Sequence, residues 1–501
     1  MSPHLPLFPA SRPARTLLVL VFFLHAALGA AIGLSVDEAH YLLYALHPAL
    51  SYFDHPPLVG WVQWPGVALH APTAVLRLLP GLLWLATAWL AYRLTLRLAG
   101  DTANAQRVGL WTLGALALAP LLHVLGIGLL PDTLLMFFSV ALMGQTLVLM
   151  QPDAVQRPAP WLLLGVLLGL AGLSKYTAIL AAAAVALCLL AVHGGRLLRN
   201  PWLWLTTALA LLLVAPVAVW NVQNQWISFS YQAKHGAGSA WQAVHVLRFL
   251  LVQLLVYGPL LLWGWVGWRH APVRQSRLLL GFFAIPFAVL AIMSGGGSSL
   301  PHWTAPAWVT LAPFAGLGLA RAGGAGRQWL VRACVVLQAL VCVGLLGLML
   351  SAGQPFMPTT RADVPVGANP FADLHGWEQA GQRARELAAQ QHLDRVAVQN
   401  WTLASRLGWY ARPLPVQVLE DRFDQFDLWA GDLPVGGSAL LVDWSHMPYA
   451  VPLGAHGFTR CDWLETQVVQ RWGADLATFR FYACHGWAGD PQPRLTLPPS
   501  P

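Results

Sequence analysis

Long runs of apolar residues, separated by short polar segments, fill the first 350 positions of the chain. An apolar run of about 20 residues is long enough to cross the hydrocarbon core of a bilayer as a helix. The first run is read as an uncleaved helix because further spans follow it. The pattern predicts an α-helical polytopic membrane protein with about eleven spans, at roughly 16–36, 75–99, 108–126, 130–150, 161–174, 176–193, 202–220, 245–268, 278–294, 302–321 and 328–350.

The pattern changes after about residue 355, where Asp, Glu, Arg and Gln become frequent. The segments VAVQN, VQVLE and ALLVDW are typical of short buried strands, and residues 376–392 of a helix. We therefore expect a transmembrane domain over 1–354 and a small soluble α/β domain over 355–488. The Pro-rich tail, 489–501, is expected to be disordered.

The composition agrees with a membrane protein. Hydrophobic residues make up 57% of the chain, charged residues 10%, and the mean hydropathy is +0.56. A soluble domain is about 45–50% apolar and about 25% charged. The net charge of +8 does not indicate a nucleic-acid partner, because no basic run with interleaved aromatic residues occurs.

The arginines between the spans indicate the orientation. They fall before the first span and then in alternate loops, and cytoplasmic loops of membrane proteins are enriched in Lys and Arg. An N-terminus on the cytoplasmic side places all of these groups inside, and the C-terminal domain on the periplasmic or extracellular side. The groups are Arg12 and Arg15; Arg93, Arg97 and Arg107; Arg157; Arg196 and Arg199; Arg269, Arg274 and Arg277; Arg321 and Arg327.

The first outer loop, 37–74, concentrates ionisable residues next to the membrane. Its patterning predicts two amphipathic helices on the membrane surface, the second starting near Pro56 and Pro57. Asp37 and Glu38 also suit a purely structural role, since Ser35 and Glu38 match a capping box. Their grouping with a second acidic motif on one face favours a functional site.

That second motif, and three further residues, complete the candidate set. Asp54 and His55 precede the proline pair, although Asp54 also suits a helix N-cap. Asp132 follows a proline where the fourth span starts, a position that equally suits a first helical turn. Lys175 lies between two spans on the same outer side, and His302 opens the tenth span after a glycine-rich loop that we expect to be flexible.

Other chemistry-bearing residues have simpler interpretations. Cys461 and Cys484 lie in the outer domain and could pair in an oxidising compartment, although spacing alone leaves this open. Five residues inside the spans are expected to be core residues: Cys188, Cys334, Cys342, His25 and His123.

The candidate set offers carboxylates for acid–base chemistry and cations for a phosphate. The sequence contains no Walker loop, no G-x-S-x-G and no H-E-x-x-H, so nucleotide hydrolysis and zincin-type proteolysis have no support. Acidic and basic groups beside lipid suit a reaction on a lipid-linked phosphate.

Five motifs give the chain a family resemblance. It resembles bacterial GT-C glycosyltransferases, most closely the protein-O-mannosyltransferase and aminoarabinose-transferase-like group, over about residues 16–350. The motifs are D-E-A-x-Y from Asp37, S-Y-F-D-H-P-P at Ser51–Pro57, P-D-x-x-L-x-F from Pro131, L-S-K-Y-T-A at Leu173–Ala178 and W-N-x-Q-x-x-W-I-S-F at Trp220–Phe229.

The resemblance implies roles for individual residues. Asp37 would act as general base or orient the acceptor hydroxyl, with support from Glu38. Asp132 and Asp54 would lie near the acceptor, and Asp132 near a divalent metal if one is used. Three residues would meet the donor phosphate: His55, Lys175 and His302, of which the histidines contribute charge only when protonated.

The resemblance further implies transfer of a sugar from a polyprenyl-phosphate donor to an envelope glycan, lipid or protein on the outer face of a bacterial inner membrane. With one well-placed base, we expect direct displacement with inversion. Two other classes remain open: a transporter or flippase of a lipid-linked or small polar substrate, and a non-catalytic envelope scaffold. The scarcity of mid-span charges and of visible repeats makes a transporter the weaker hypothesis.

Overall fold

The computed structural model describes residues 11–100, 104–271, 274–357, 369–420, 422–446 and 457–489. The chain forms two compact units. The membrane unit contains the residues up to Gly29, Ala49–Val62 and Leu69–Val343. The C-terminal unit contains Ala30–Pro48, Gln63–Ala68 and the chain from Gly344 onwards. Two pieces of the first outer loop thus belong to the C-terminal unit. The Pro-rich tail lies outside the described residues, apart from Gly489.

Apolar helices build the membrane unit. Among the described residues, seven are long and apolar enough to cross a membrane, or nine if each of two sharply bent pairs is one span. The seven are Arg12–Ala31, Thr73–Ala99, Pro131–Leu149, Ala178–Arg199, Pro201–Gln223, Ser276–Gly296 and Ala325–Ser351. The bent pairs are Ala105–Ala117 with Pro120–Ile127 and Ala243–Tyr257 with Pro259–Arg269. Shorter helices include Pro152–Val155, Pro158–Ser174, Ile227–Ala237 and Ala305–Ala320.

The predicted first span, 16–36, extends too far. The helix runs over Arg12–Ala31, and a separate helix, Val36–Leu46, begins after the N-cap Ser35. The expected capping box is present: Glu38 N donates to Ser35 Oγ at 3.4 Å, and Ser35 N donates to Glu38 Oε2 at 3.0 Å. Hydropathy continues across this break, but the cap starts a separate helix.

The structure of the rest of the first outer loop differs from the two amphipathic surface helices that the sequence predicts. Val36–Leu46 is buried along most of its length and packs against Trp401–Tyr410 in the C-terminal unit. In place of the second predicted helix are two short helices, Leu58–Trp61 and Trp64–Ala68, ahead of the span that begins at Thr73. Prolines and glycines interrupt this stretch often enough to prevent one continuous helix.

The C-terminal unit contains a five-stranded mixed sheet in the order β2-β1-β3-β5-β4. The strands are β1 Val396–Val398, β2 Val416–Val418, β3 Ala439–Trp444, β4 Phe458–Arg471 and β5 Ala474–Trp487. Strands β1, β2 and β3 confirm the three predicted strands, and Trp377–Gln390 confirms the predicted helix. The helix Trp401–Tyr410 lies between β1 and β2 in the chain, and Gln425–Trp429 lies between β2 and β3.

The β4–β5 hairpin was not predicted from the sequence. Its two strands pair antiparallel, with Cys461 opposite Cys484, and these cysteines form a disulfide. Charged residues and bulges interrupt the alternation of β4, which removes the usual strand signal. The pairing that the sequence left open is therefore present.

Two buried histidines confirm the expectation for the membrane core. His25 Nε2 and His123 Nδ1 are 2.9 Å apart, and His123 Nε2 bonds the Ala117 carbonyl at 2.8 Å. Both rings are buried. They link the first helix to a bent pair, which is a structural role.

Two carboxyl groups of the C-terminal unit make its stability depend on pH. Burial raises the pKa of Glu420 to about 7 and that of Asp424 to about 6, with neighbouring acids adding to the rise. The unfolded chain ionises at its ordinary carboxyl pKa, about 4. Below about pH 4 both groups are protonated in the folded and the unfolded chain, and their contribution to stability is fully present. This contribution is lost as pH rises through the folded-state pKa values, about 6 and about 7.

We expect the apparent melting temperature of the solubilised protein, followed by Trp fluorescence, to fall between pH 5 and pH 8. The E420Q/D424N variant should flatten this dependence, because neither group then ionises, and Asn retains the ability to cap a helix. The exposed Glu378→Gln variant is the control. An unchanged pH dependence in E420Q/D424N would contradict the assignment.

Candidate active site

Two neighbouring helices of the membrane unit bring Asp132 and Lys175 together. Pro131–Leu149 and Pro158–Ser174 pack against each other, joined by a short connection that includes Pro152–Val155. Helices joined in this way are antiparallel, so the start of the first lies beside the end of the second. Asp132 is in the first turn of one, and Lys175 caps the end of the other.

Asp132 and Lys175 form a buried ion pair. Lys175 Nζ donates to both carboxylate oxygens of Asp132, at 2.7 Å each. Asp132 is 1% exposed and Lys175 is 5% exposed. Water screens such a pair only weakly, and each charge requires the other. The sequence assigned the two residues to different parts of a site, whereas the structure makes them one unit.

His302 and Trp303 complete the surroundings of this pair. His302 Nε2 lies 3.8 Å from Asp132 Oδ2, and Lys175 Nζ lies 5.6 Å from the centre of the Trp303 ring. Both residues belong to the 3-10 turn Pro301–Thr304, ahead of the helix Ala305–Ala320. A protonated His302 would add a second positive charge beside the carboxylate.

Residues that the sequence interpretation missed hold this turn in place. Gln253 Nε2 and Tyr257 Oη donate to the Pro301 carbonyl at 3.3 and 3.1 Å. Gln253 Oε1 accepts from Thr304 and from Trp308 Nε1. An amide side chain within an apolar span is costly unless it is hydrogen-bonded. The presence of Gln253 in such a span was therefore the sequence signal for a buried polar contact.

The glycine-rich loop before the turn is closely packed. The Gly295 carbonyl accepts from Gln242 N at 2.8 Å, and the Gly296 carbonyl accepts from Ser239 N at 2.9 Å. A Cβ on Gly295 would lie 1.9 Å from the Trp241 indole nitrogen. Glycine is therefore needed here for close approach, which differs from the flexible loop expected from the sequence.

The segment that carries Asp54 and His55 adjoins Lys175 through the next residue, Tyr176. Tyr176 Oη and Ser228 Oγ are 2.7 Å apart, and Ser51 is among the neighbours that influence the Tyr176 pKa. Burial is the main cause that raises the pKa of Tyr176, and the charge of Asp54 adds to the rise. Two motifs far apart in the sequence are thus neighbours.

The segment has its own fixed backbone. Tyr52 N donates to the His55 carbonyl at 3.2 Å, and the Gln232 amide donates to the Asp54 carbonyl. The rings of Phe53 and Tyr231 lie 4.5 Å apart. These contacts hold Asp54 and His55, both partly exposed, against Ile227–Ala237.

Asp37 and Glu38 belong to the C-terminal unit. Glu38 is 6% exposed and closes the capping box, so its structural role is confirmed. Asp37 is partly exposed and interacts electrostatically with the buried Arg406. One turn further along, His40 Nδ1 and Ser405 Oγ are 3.1 Å apart. Val36–Leu46 thus has a fixed orientation within its own unit.

The described residues do not fit a protein-held metal. Among them, no group of three or more His, Cys, Asp or Glu side chains is arranged around a possible ion. Asp132 is the candidate metal ligand, but both of its carboxylate oxygens accept from Lys175. The Lys175 ammonium group thus takes the position that a metal ion would need. The chemistry available is that of a carboxylate, an ammonium group and an imidazole in a low-dielectric setting, which suits a phosphate-bearing ligand.

Comparison with known proteins supports the family resemblance. Residues 54–220 match the family model described as dolichyl-phosphate-mannose-protein mannosyltransferase, a GT-C family. This match contains Asp54, His55, Asp132 and Lys175. The chain is also 23% identical over 283 residues to the lipid A galacturonosyltransferase RgtD of Rhizobium johnstonii. That alignment covers 55% of this chain and 58% of RgtD, so the chain spans just over half of that relative.

Two solved structures share the fold. They are ArnT from Cupriavidus metallidurans in the apo state and the same protein bound to undecaprenyl phosphate, with TM-scores of 0.60 and 0.61. Each is 19% identical and covers 93% of this chain and 97% of its own. The fold is thus confirmed as a helical polytopic membrane fold like that of ArnT, with a small C-terminal sheet.

The ion pair gives a direct test. We expect D132N and K175M each to lower the melting temperature of the solubilised protein, because each leaves one buried charge unpaired, at about 3–5 kcal/mol. The D132N/K175M double variant should lose less than the sum of the two, since neither charge remains.

Trp303→Phe, which leaves both charges intact, is the control for local disturbance. Strict additivity of the D132N and K175M effects would show that the two groups do not depend on each other in the folded protein.

Proposed function

We propose that this protein is an integral membrane glycosyltransferase that moves a sugar from a polyprenyl-phosphate donor to an envelope acceptor. The observation that carries this proposal is the buried Asp132–Lys175 pair with His302 beside it, in a fold shared with a protein solved with undecaprenyl phosphate bound. The match of residues 54–220 to a mannosyltransferase family supports it.

The donor phosphate would be held by Lys175, His302 and His55. Lys175 has three ammonium protons, and two donate to Asp132. The remaining proton can be directed at a phosphate oxygen without loss of the pair. As the bond from the anomeric carbon to the phosphate oxygen breaks, charge grows on the phosphate, and fixed cations stabilise that charge.

Asp37 would accept the proton of the acceptor hydroxyl as its oxygen bonds to the anomeric carbon. Its site on a helix anchored by the capping box suits a base that must keep one orientation. Glu38 would support that helix rather than exchange protons. A single base and one displacement give inversion at the anomeric carbon. Asp54 and Asp132 would border the acceptor.

The acceptor would be an envelope lipid or glycan, by analogy with RgtD, which is named for lipid A. A protein acceptor is the other outcome. The donor sugar would be a hexose or pentose.

The orientation that fits this proposal has about eleven spans, a cytoplasmic N-terminus and a periplasmic or extracellular outer domain over 355–488, with catalysis in 1–354 and the bacterial inner membrane as location. The alternating arginines support it. The disulfide between Cys461 and Cys484 supports an oxidising compartment for the outer domain.

We expect Asp37→Asn to reduce sugar transfer about 10²–10⁴-fold, the usual contribution of a general base, with folding and membrane insertion unchanged. Envelope lipids and glycans from cells with wild type, a deletion and D37N are compared by mass spectrometry. One sugar-sized mass should be missing in the deletion and strongly reduced in D37N.

Asp153→Asn is the matched control, because Asp153 is an exposed acid in the short helix Pro152–Val155. Normal transfer by D37N would reject Asp37 as the base. A lipid and glycan profile that is unchanged in the deletion would instead favour transport or scaffolding.

A further inference from the structure

The tip of the β4–β5 hairpin lies beside the end of the last apolar helix. That helix, Ala325–Ser351, has 27 residues, and its final turns from Gly344 onwards belong to the C-terminal unit. Arg471 Nε donates to the Leu350 carbonyl at 3.0 Å, and His375 Nε2 bonds the Met349 carbonyl at 3.1 Å. A helix long enough to cross the membrane ends near a membrane surface, so the hairpin tip lies there too.

A tryptophan occupies the turn of the hairpin, where the backbone does not favour it. Arg471 pairs with Ala474, so Trp472 and Gly473 form a two-residue turn, with φ of 50° and 79°. Such turns favour Asn, Asp or Gly at both positions. Trp472 is 72% exposed, so the fold does not use its ring for packing. Tryptophan at a membrane surface is a typical interfacial anchor.

A pocket of about 200 Å³ opens beside this turn. This volume has room for several waters or for a small polar group. We name it the hairpin-foot pocket; its lining is His375, Gly376, Gln379 and the strand residues 467–471.

The lining of the hairpin-foot pocket has one fixed cation and one unsatisfied acceptor. Arg471 makes its side-chain hydrogen bond through Nε, and within the described part of the chain its two terminal nitrogens have no hydrogen-bond partner. Gln467 Oε1 is buried, also without a partner in the described part of the chain. Burial is the main cause that lowers the pKa of His375, so the positive charge comes from Arg471.

These groups match a phospholipid headgroup that carries both a phosphate and a hydrogen-bond donor. The planar guanidinium group suits phosphate oxygens. The amide oxygen of Gln467 suits a hydroxyl or ammonium hydrogen, which a choline group lacks. We propose that the hairpin-foot pocket binds a phosphoglycerol or phosphoethanolamine lipid headgroup while Trp472 lies among the headgroups of the same leaflet.

The first test measures the depth of residue 472 in the full-length protein. W472C is labelled with an NBD fluorophore in lipid nanodiscs, and quenching by nitroxide-labelled lipids is recorded, with the labelled parent protein as background. V435C is the matched control, because Val435 is 77% exposed and its neighbour Gly436 bonds Trp487, at the opposite end of the hairpin. We expect strong quenching at 472 and none at 435. Equal quenching at both sites would overturn the proposal.

The second test measures lipid retention by native mass spectrometry. Wild type in mixed nanodiscs should retain phosphatidylglycerol or phosphatidylethanolamine in preference to phosphatidylcholine. R471Q should weaken this retention about tenfold, the loss expected for one charge-assisted hydrogen bond. R460Q is the control, since Arg460 is a 71% exposed arginine near the far end of the same strand. Equal retention by R471Q and R460Q, or no preference over phosphatidylcholine in wild type, would overturn the pocket assignment.

Discussion

Charges inside a membrane protein must be paired, and the Asp132–Lys175 ion pair shows how this requirement organises the membrane unit. Neither residue tolerates its burial alone, so the start of one helix and the end of the next stay together. The turn with His302 is then fixed by Gln253 and Tyr257, which satisfy their own polar groups on the Pro301 carbonyl. The result is a set of charges whose orientation is fixed by the fold, which would lower the reorganisation needed in the transition state of the proposed transfer.

The C-terminal unit is more than an appended domain, because it contains the helix of the proposed base. Val36–Leu46 packs on Trp401–Tyr410, and His40 contacts Ser405 and the Trp401 ring. The buried Arg406, next to Ser405, pairs with Asp373 and interacts with Asp37. The acidic residue of the first outer loop therefore depends on a helix more than 360 positions later in the chain. This arrangement gives the C-terminal unit a part in positioning the proposed base.

Local signals were enough to predict much of this structure. Long apolar runs indicated a polytopic helical unit, short buried segments located β1, β2 and β3, and the Ser35–Glu38 spacing identified the capping box. The pairing of Asp132 with Lys175 has no local signal, since the residues are 43 positions apart and meet only through helix packing. The hairpin was missed because β4 lacks regular alternation, and the first span was extended because hydropathy does not register a helix cap. The sequence did identify the candidate residues of both units, but their contacts depend on tertiary structure.

The most direct test of the account uses purified protein in liposomes, supplied with a sugar-loaded undecaprenyl phosphate and an envelope lipid extract. Both substrates are followed by mass spectrometry over time. A glycosyltransferase should release one free undecaprenyl phosphate for each acceptor that gains a sugar, and should give no product when either substrate is omitted. A donor that keeps its sugar while no acceptor gains mass would contradict the account and favour transport.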